Sequence, residues 1–197
     1  MRRNNPWISI SDLLSSVVLI LLLMFVLAAV LPQYTQEAQK REMMNRIGEA
    51  LKEYQERGQV QVHLDTGMLE FTSVTFPSGS AELSGEALAA VKDFSEQLKS
   101  YMIENPKMEV LIEGHTDPAA ISKVINKGGY FENNVQLSTL RAANVRSALL
   151  NNIGQEYARR IGVAGYGETR LKNTDNPLSA ENRRIEIRIL WNGQEDK

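Results

Sequence analysis

Residues 108–117 read MEVLIEGHTD, and they divide into two parts that set the terms for the rest of the chain. Residues 108–112 form a short apolar run with Val110 and Ile112 at alternate positions, which predicts a strand. Gly114 ends the run, and His115, Thr116 and Asp117 follow, so the strand delivers an acid to the edge of a sheet. Downstream, apolar residues at helical spacing predict a helix over 137–151 with Leu137, Leu140, Val145 and Leu149 facing a core. A strand is expected at 161–164, and in 184–190 Ile185, Ile187 and Ile189 alternate with charged neighbours, the mark of a half-buried strand. Upstream, Val60, Val62 and Leu64 alternate with polar residues, and Ser84 with Glu86 opens a helix expected to bury Leu88, Val91, Phe94, Leu98 and Met102. Strands interleaved with helices imply an α/β (α+β) sandwich over residues 59–192, with helices on one face of a mixed sheet, and a tail at 193–197.

Ahead of this domain, residues 32–58 form a polar, helix-forming connection. Met44, Ile47, Leu51 and Tyr54 make a narrow apolar seam along it. The seam suits a short parallel coiled coil in a dimer or an amphipathic segment on a membrane, with a solvated linker helix as the plain alternative. Pro32 is expected to close the segment before it, because proline breaks the helical hydrogen-bond ladder.

Residues 12–31 make the only apolar run of membrane length, and Asp12 opens it. An aspartate at the centre of a membrane helix costs roughly 2.5 to 3.5 kcal/mol, and less near the rim. Ser9, Ser15 and Ser16 share its helical face. An interfacial acid without a role is the alternative to a functional one. Arg2 and Arg3 lie in the short amino-terminal segment 1–11, and no basic cluster follows the run until Lys40 and Arg41. This asymmetry predicts a cytoplasmic amino terminus and an exported domain. A cleaved signal peptide is the rival, disfavoured by the length of the run, by the acid, and by the lack of an A-x-A site before Pro32.

Composition narrows the chemistry. A net charge of −2 offers nothing to nucleic acid. The absence of cysteine removes disulfides, thiolate metal sites and a cysteine nucleophile. The two histidines, His63 and His115, stand far apart, and no HExxH, Walker or GxSxG pattern occurs. No enzyme activity, cofactor or metal is therefore expected. Gly165-Tyr166-Gly167 reads as a turn, and His63 as a solvent-facing strand residue.

Three polar clusters remain: GHTD at 114–117, LSTLRA at 137–142 and NRR at 182–184. An acid at a strand end, a guanidinium on a helix and an arginine opening a strand can converge on one groove. The acid accepts from an ammonium and the arginine fork clamps a carboxylate, so the set suits a zwitterionic, amino-acid-like ligand. Ion pairs that only stabilise the fold are the alternative.

These clusters, in this order, resemble the OmpA-like peptidoglycan-binding domain, with its GHTD strand end, N-x-x-LS-x-x-RA helix and NRR motif. FPSGSAEL at 76–83 resembles that family's opening segment, and the likeness covers about residues 60–191. It implies that Asp117 and Arg141 grip the diaminopimelate of the cell-wall stem peptide, with Asn134 and Arg183 at the family's asparagine and first NRR arginine. Asp117 and Arg141 lie further apart than in the compact family pattern, with 118–130 as an apparent insertion, and Leu178-Ser179 replaces the usual Gly-Arg.

With its single span, the whole chain resembles the B subunit of MotA/MotB-type stators, in which a tryptophan and an aspartate open the span as Trp7 and Asp12 do here. The resemblance implies a single-pass protein of the bacterial inner membrane with a periplasmic domain. It implies a homodimer within a ring of MotA-like A subunits, with a proton or sodium ion passing by way of Asp12. It also implies that the post-span helix acts as a plug or dimer connector. The connection is short for a flagellar stator, which points to a relative such as the B component of a Zorya-type phage-defence motor. The reading from a different class is a structural protein that tethers membrane to wall without ion flux.

Overall fold

The structure, a computed structural model, describes residues 6–72, 76, 80–119, 124–126 and 129–191. The tail at 193–197, most of the segment FPSGSAEL before Ser80, and parts of the 118–130 insertion lie outside the described residues. The chain divides into two compact units, Met1–Lys40 and Arg41–Lys197.

In the first unit, helix α1 (Pro6–Ala50) begins, and it contains the apolar segment Ile10–Val30, with mean hydropathy 3.0 and no residue buried. Its 21 residues rise about 32 Å, close to the thickness of a bilayer's hydrocarbon core. Leucine, valine and phenylalanine point outward all round, as in a helix solvated by lipid. Pro32 does not end the helix as expected. A proline removes one N–H, and α1 runs on through that single missing bond between strong helix formers.

The second unit is built on a five-stranded sheet of order β1-β2-β7-β3-β6: β1 (Val60–His63), β2 (Met68–Phe71), β7 (Ile185–Leu190), β3 (Glu109–His115) and β6 (Ile161–Gly167). All neighbours are antiparallel except β3 and β6, which run parallel. The parallel pair needs a crossover, and α4 (Asn134–Ile153) supplies it. Helix α3 (Gly85–Glu104) connects β2 to β3 and packs beside α4. Ser84 caps α3 by accepting from the Ala87 amide at 3.1 Å. Asn133 caps α4 by accepting from the Gln136 amide at 2.9 Å. The mixed sheet with helices on one face is the architecture that the spacing implied.

Several details differ from the sequence reading. Leu64 lies beyond the end of β1 and is exposed, because the chain turns there: Gly67, at φ 71°, closes a hairpin into β2. Leu88 is also exposed, since the buried stripe of α3 passes through Ala87, Ala90, Val91, Phe94 and Leu98, one position out of phase with it. Leu140 is only partly buried, against a satellite cluster of Ala81, Phe131 and Leu137. The insertion carries a two-stranded ribbon, β4 (Val124–Asn126) with β5 (Gly129–Phe131), anchored by the fully buried Phe131.

The seam after the span has a definite partner. Met43, Met44, Ile47 and Leu51 are all fully buried in the main core with Phe71, Phe94 and Ile187. A short helix α2 (Lys52–Glu56) follows, and the Tyr54 hydroxyl donates to Asp93 at 2.9 Å. We therefore expect Ile47→Ala to destabilise the domain by about 2 to 5 kcal/mol, the usual cost of a deleted buried aliphatic side chain. Thermal unfolding of the full chain in detergent measures this. An unchanged midpoint would mean that the seam contributes nothing to the domain.

Candidate functional site

The strand end, the start of α4 and the start of β7 meet at one edge of the domain. Asp117 is 7% exposed, and its Oδ2 accepts from Arg183 Nη1 at 2.6 Å. Its Oδ1 accepts from the Ala119 amide at 3.2 Å, a local turn that fixes the carboxylate. Asn134, on the first turn of α4, donates from Nδ2 to the carbonyls of Asp117 and Ala119, both at 3.3 Å. That asparagine thus holds the backbone on either side of the bend.

Arg141 is buried two turns further along the same face of α4. Its Nε donates to the Ser80 carbonyl at 2.9 Å, and its guanidinium lies 5.1 Å from the centre of the Phe76 ring. Burial, with the neighbouring Arg183 charge, lowers its pKa to about 10, against the opposing pull of Asp117. Arg141 therefore stays charged near neutral pH. Asn144 donates to the Ala81 carbonyl at 2.7 Å, so two side chains of α4 hold residues 80–81 against the helix.

Glycines make this close packing possible. A Cβ on Gly114 would overlap the Ser138 carbonyl, and one on Gly165 would overlap Thr139. The Ser138 hydroxyl accepts from the Gly167 amide at 2.9 Å, stitching α4 to β6. The Gly165-Tyr166-Gly167 segment, expected to be a turn, is the end of a strand whose small residues admit a helix.

The helix-free face of the sheet supports the same edge. Glu70, Glu186 and Glu113 stand side by side across β2, β7 and β3, and all three are buried. Like charges in register are costly, so each acid has its own cation. Lys172 Nζ lies 2.7 Å from Glu70, Arg184 Nη2 2.7 Å from Glu186, and Arg188 Nε 2.6 Å from Glu113. Burial alone would push the Glu186 carboxyl up, but Arg184 above all, with Arg188, holds it below the ordinary value. His115, stacked on Tyr166 with ring centres 5.4 Å apart, is driven the other way: burial and then Arg184 keep its imidazole neutral. His63, expected to face solvent, is half-buried with Nε2 3.9 Å from Glu70.

Asn182 organises the loop ahead of Arg183. It is fully buried, accepts from the Lys172 and Asn173 amides at 2.8 and 2.9 Å, and donates to the carbonyls of Asn173, Asn176 and Pro177. Sequence spacing marked the NRR cluster but not this division of labour. In it the asparagine builds the loop, the first arginine reaches Asp117 and the second pairs with Glu186. Among the described residues, no group of three or more His, Cys, Asp or Glu side chains could hold a metal ion.

The domain's fold has known counterparts. The family model described as the OmpA family matches residues 75–184. The chain belongs to the OmpA family. Its fold is similar to that of a MotB-like protein from Desulfovibrio vulgaris, at 26% identity and TM-score 0.60 over 80% of this chain and 97% of that one. The cell wall anchor of the type VI secretion system (T6SS) from Pseudomonas aeruginosa is similar at 22% identity and TM-score 0.55, over 74% of this chain and 96% of that one. The periplasmic domain of Helicobacter pylori MotB shares the fold at 17% identity and TM-score 0.53, over 68% and 82% of the two chains. No curated protein matches the sequence. Within the OmpA-family match lie Asp117, Asn134, Arg141 and Arg183, the four groups that the structure brings to one edge.

Proposed function

We propose that this chain is the peptidoglycan-anchored B subunit of an ion-driven, rotary stator-like complex of the bacterial inner membrane. The observation that carries the reading is Asp12, the single ionisable residue in the unburied apolar segment Ile10–Val30, in a chain whose other unit is an OmpA-type domain. Arg2 and Arg3 ahead of the span support a cytoplasmic amino terminus and a periplasmic domain. Two copies stand inside a ring of MotA-like A subunits, Asp12 takes up and releases a proton or sodium ion, and the wall holds the B subunits still. Wall attachment runs through Asp117, Arg141, Asn134 and Arg183, which grip the diaminopimelate of a stem peptide.

Only residues 31–40 separate the span from the compact unit, because the seam beyond them belongs to the domain core. So short a connection favours a specialised stator, such as a Zorya-type phage-defence motor, over a flagellar one. A tether without ion flux is the second reading, and it keeps the wall-binding half unchanged.

Sedimentation with insoluble peptidoglycan tests the anchoring half. The wild-type protein is retained, and Asp117→Ala and Arg141→Ala each weaken retention about thirtyfold or more, as expected when one member of a buried charged contact is removed. Unchanged retention by both folded variants would remove these residues from the site.

A further inference from the structure

The connection from β6 to β7, residues 168–184, has a single short 3-10 turn, Ala180–Asn182, and delivers Arg183 to Asp117. Most of its residues are exposed, so packing does little to hold it. Asn182 braces it from within, accepting from the Lys172 and Asn173 amides and donating to three carbonyls between 173 and 177. Those contacts all lie inside the loop, and they fix its shape rather than its place on the sheet.

Two cations set the place. Arg170 lies 3.6 Å over the Tyr166 ring, and its carbonyl accepts from Arg184 at 3.4 Å, which secures the loop where it leaves β6. Lys172 reaches across to the hairpin of β1 and β2. Its Nζ donates to both Glu70 oxygens at 2.7 and 2.8 Å, with Gln61 Oε1 3.5 Å away. The Glu70 side chain is 4% exposed and sits in a strand between two neighbours, so it cannot follow a moving loop. Gln61 and Glu70 both precede the residues 75–184 that match the OmpA family, and this anchor therefore comes from outside the match.

Resting on the wall-binding reading above, we propose that Glu70 is a positioning residue of the candidate site: through Lys172 it fixes the loop from which Arg183 reaches Asp117. The links run in sequence. Glu70 holds the Lys172 ammonium, Asn182 holds the Lys172 amide, and Asn182 is joined by one peptide bond to Arg183. Arg183 needs this support, because its side chain is long and 38% exposed. Glu70 touches no ligand; it reduces the freedom that Arg183 loses when a ligand takes hold of it.

Burial selects the variant that tests this. The Lys172 side chain is 35% exposed, so without the Glu70 charge its ammonium turns to water and the loop comes loose, with no charge stranded inside the protein. Removing Lys172 alone would strand the Glu70 carboxylate beside Glu186 and endanger the sheet itself. Glu70→Gln is the informative change, and Glu70→Gln with Lys172→Gln, which leaves neither partner charged, is its check.

The test uses the full chain in detergent, sedimented with insoluble peptidoglycan. Glu70→Gln is expected to weaken retention by about threefold to tenfold, the cost of immobilising one long side chain on binding. The double variant should match it, since one contact is lost only once. The Arg183 side-chain NMR signal, assigned by its loss in Arg183→Gln, should move in both variants before any ligand is added. The Lys172 and Asn173 amides should exchange with solvent about tenfold faster or more, while the Val110 and Ile112 amides of β3 keep their wild-type rates. Wild-type retention by either variant, or an Arg183 signal that stays in place, overturns the proposal. So does faster exchange in β3 to the same degree, because Glu70 would then serve the whole fold and not this loop. Wild type that is not retained would instead remove the wall-binding reading itself, and the proposal with it.

Discussion

Gly114→Ala is expected to cost at least about 3 kcal/mol, a large part of the roughly 5 to 15 kcal/mol that holds a typical domain together. The new Cβ would overlap the carbonyl carbon and oxygen of Ser138, which are backbone atoms of α4 and cannot rotate away as a side chain can. To admit a methyl group, α4 would have to move off the sheet. That movement would break the hydrogen bond from the Gly167 amide to Ser138 and shift Asn134 and Arg141, which ride on the same helix. Gly165→Ala meets the backbone and hydroxyl of Thr139 in the same way and should behave alike. Gly162→Ala is the control: it lies in the same strand as Gly165, and its Cβ would come no closer than 3.4 Å, to Leu111 Cδ1. Thermal unfolding of the full chain should show falls on the order of 10 °C for the first two and little change for the third. Equal midpoints for all three would mean that α4 does not rest on these glycines.

The same packing explains which parts of the fold were legible in the sequence. Strands such as β7 could be read because Ile185, Ile187 and Ile189 face the core while charged residues fill the alternate positions. Helix α3 announced itself through a cap and an apolar stripe, although a stripe built on Ala87 and Ala90 was easily misread through the larger Leu88, and α4 showed its stripe from Leu137 but not its first turn behind Asn133. Strand β2 was hidden, since in Met68–Phe71 three consecutive residues are buried and one of them is Glu70. A period of two disappears when the second face of a strand is sealed by ion pairs. The row of Glu70, Glu186 and Glu113 is therefore a property of register, which pairing decides and local sequence does not.

The candidate site was legible in part. Asp117, Arg141 and Arg183 were expected to converge, and the direct contact of Asp117 with Arg183 brings two of them within 2.6 Å. Nothing in the spacing indicated that Asn182 would arrange a loop through five backbone contacts, or that Gly114 marks a helix contact as well as a strand end. The apolar seam of residues 44–54 was visible as a period but not in its destination. A narrow stripe looks the same whether it meets another copy, a bilayer or its own domain, and here Ile47 and Leu51 lie in the domain core.

Asp12→Asn is expected to abolish ion conduction while leaving wall attachment intact. The residue is exposed on α1, two positions inside the apolar segment that begins at Ile10, and so about 3 Å along the helix axis from its start. At that depth a carboxylate costs less than at the bilayer centre, and water can reach it. The Ser16 hydroxyl donates to the Asp12 backbone carbonyl at 2.9 Å, so this serine serves the helix rather than the acid. An acid at the membrane rim, on a helix otherwise solvated by lipid, suits a group that alternates between a charged state open to water and a neutral, ion-loaded state facing a partner helix. Asparagine keeps the size and polarity but cannot carry a proton or balance a cation. Asp117 and its partners belong to the other compact unit, so retention on peptidoglycan should not change.

The decisive measurement is ion flux in cells or proteoliposomes that contain this chain with its membrane A subunit, comparing wild type with Asp12→Asn at equal expression and equal retention on peptidoglycan. The stator reading predicts flux in the wild type and only background flux in the variant. Undiminished flux through Asp12→Asn, or no flux through the assembled wild-type complex, would contradict it.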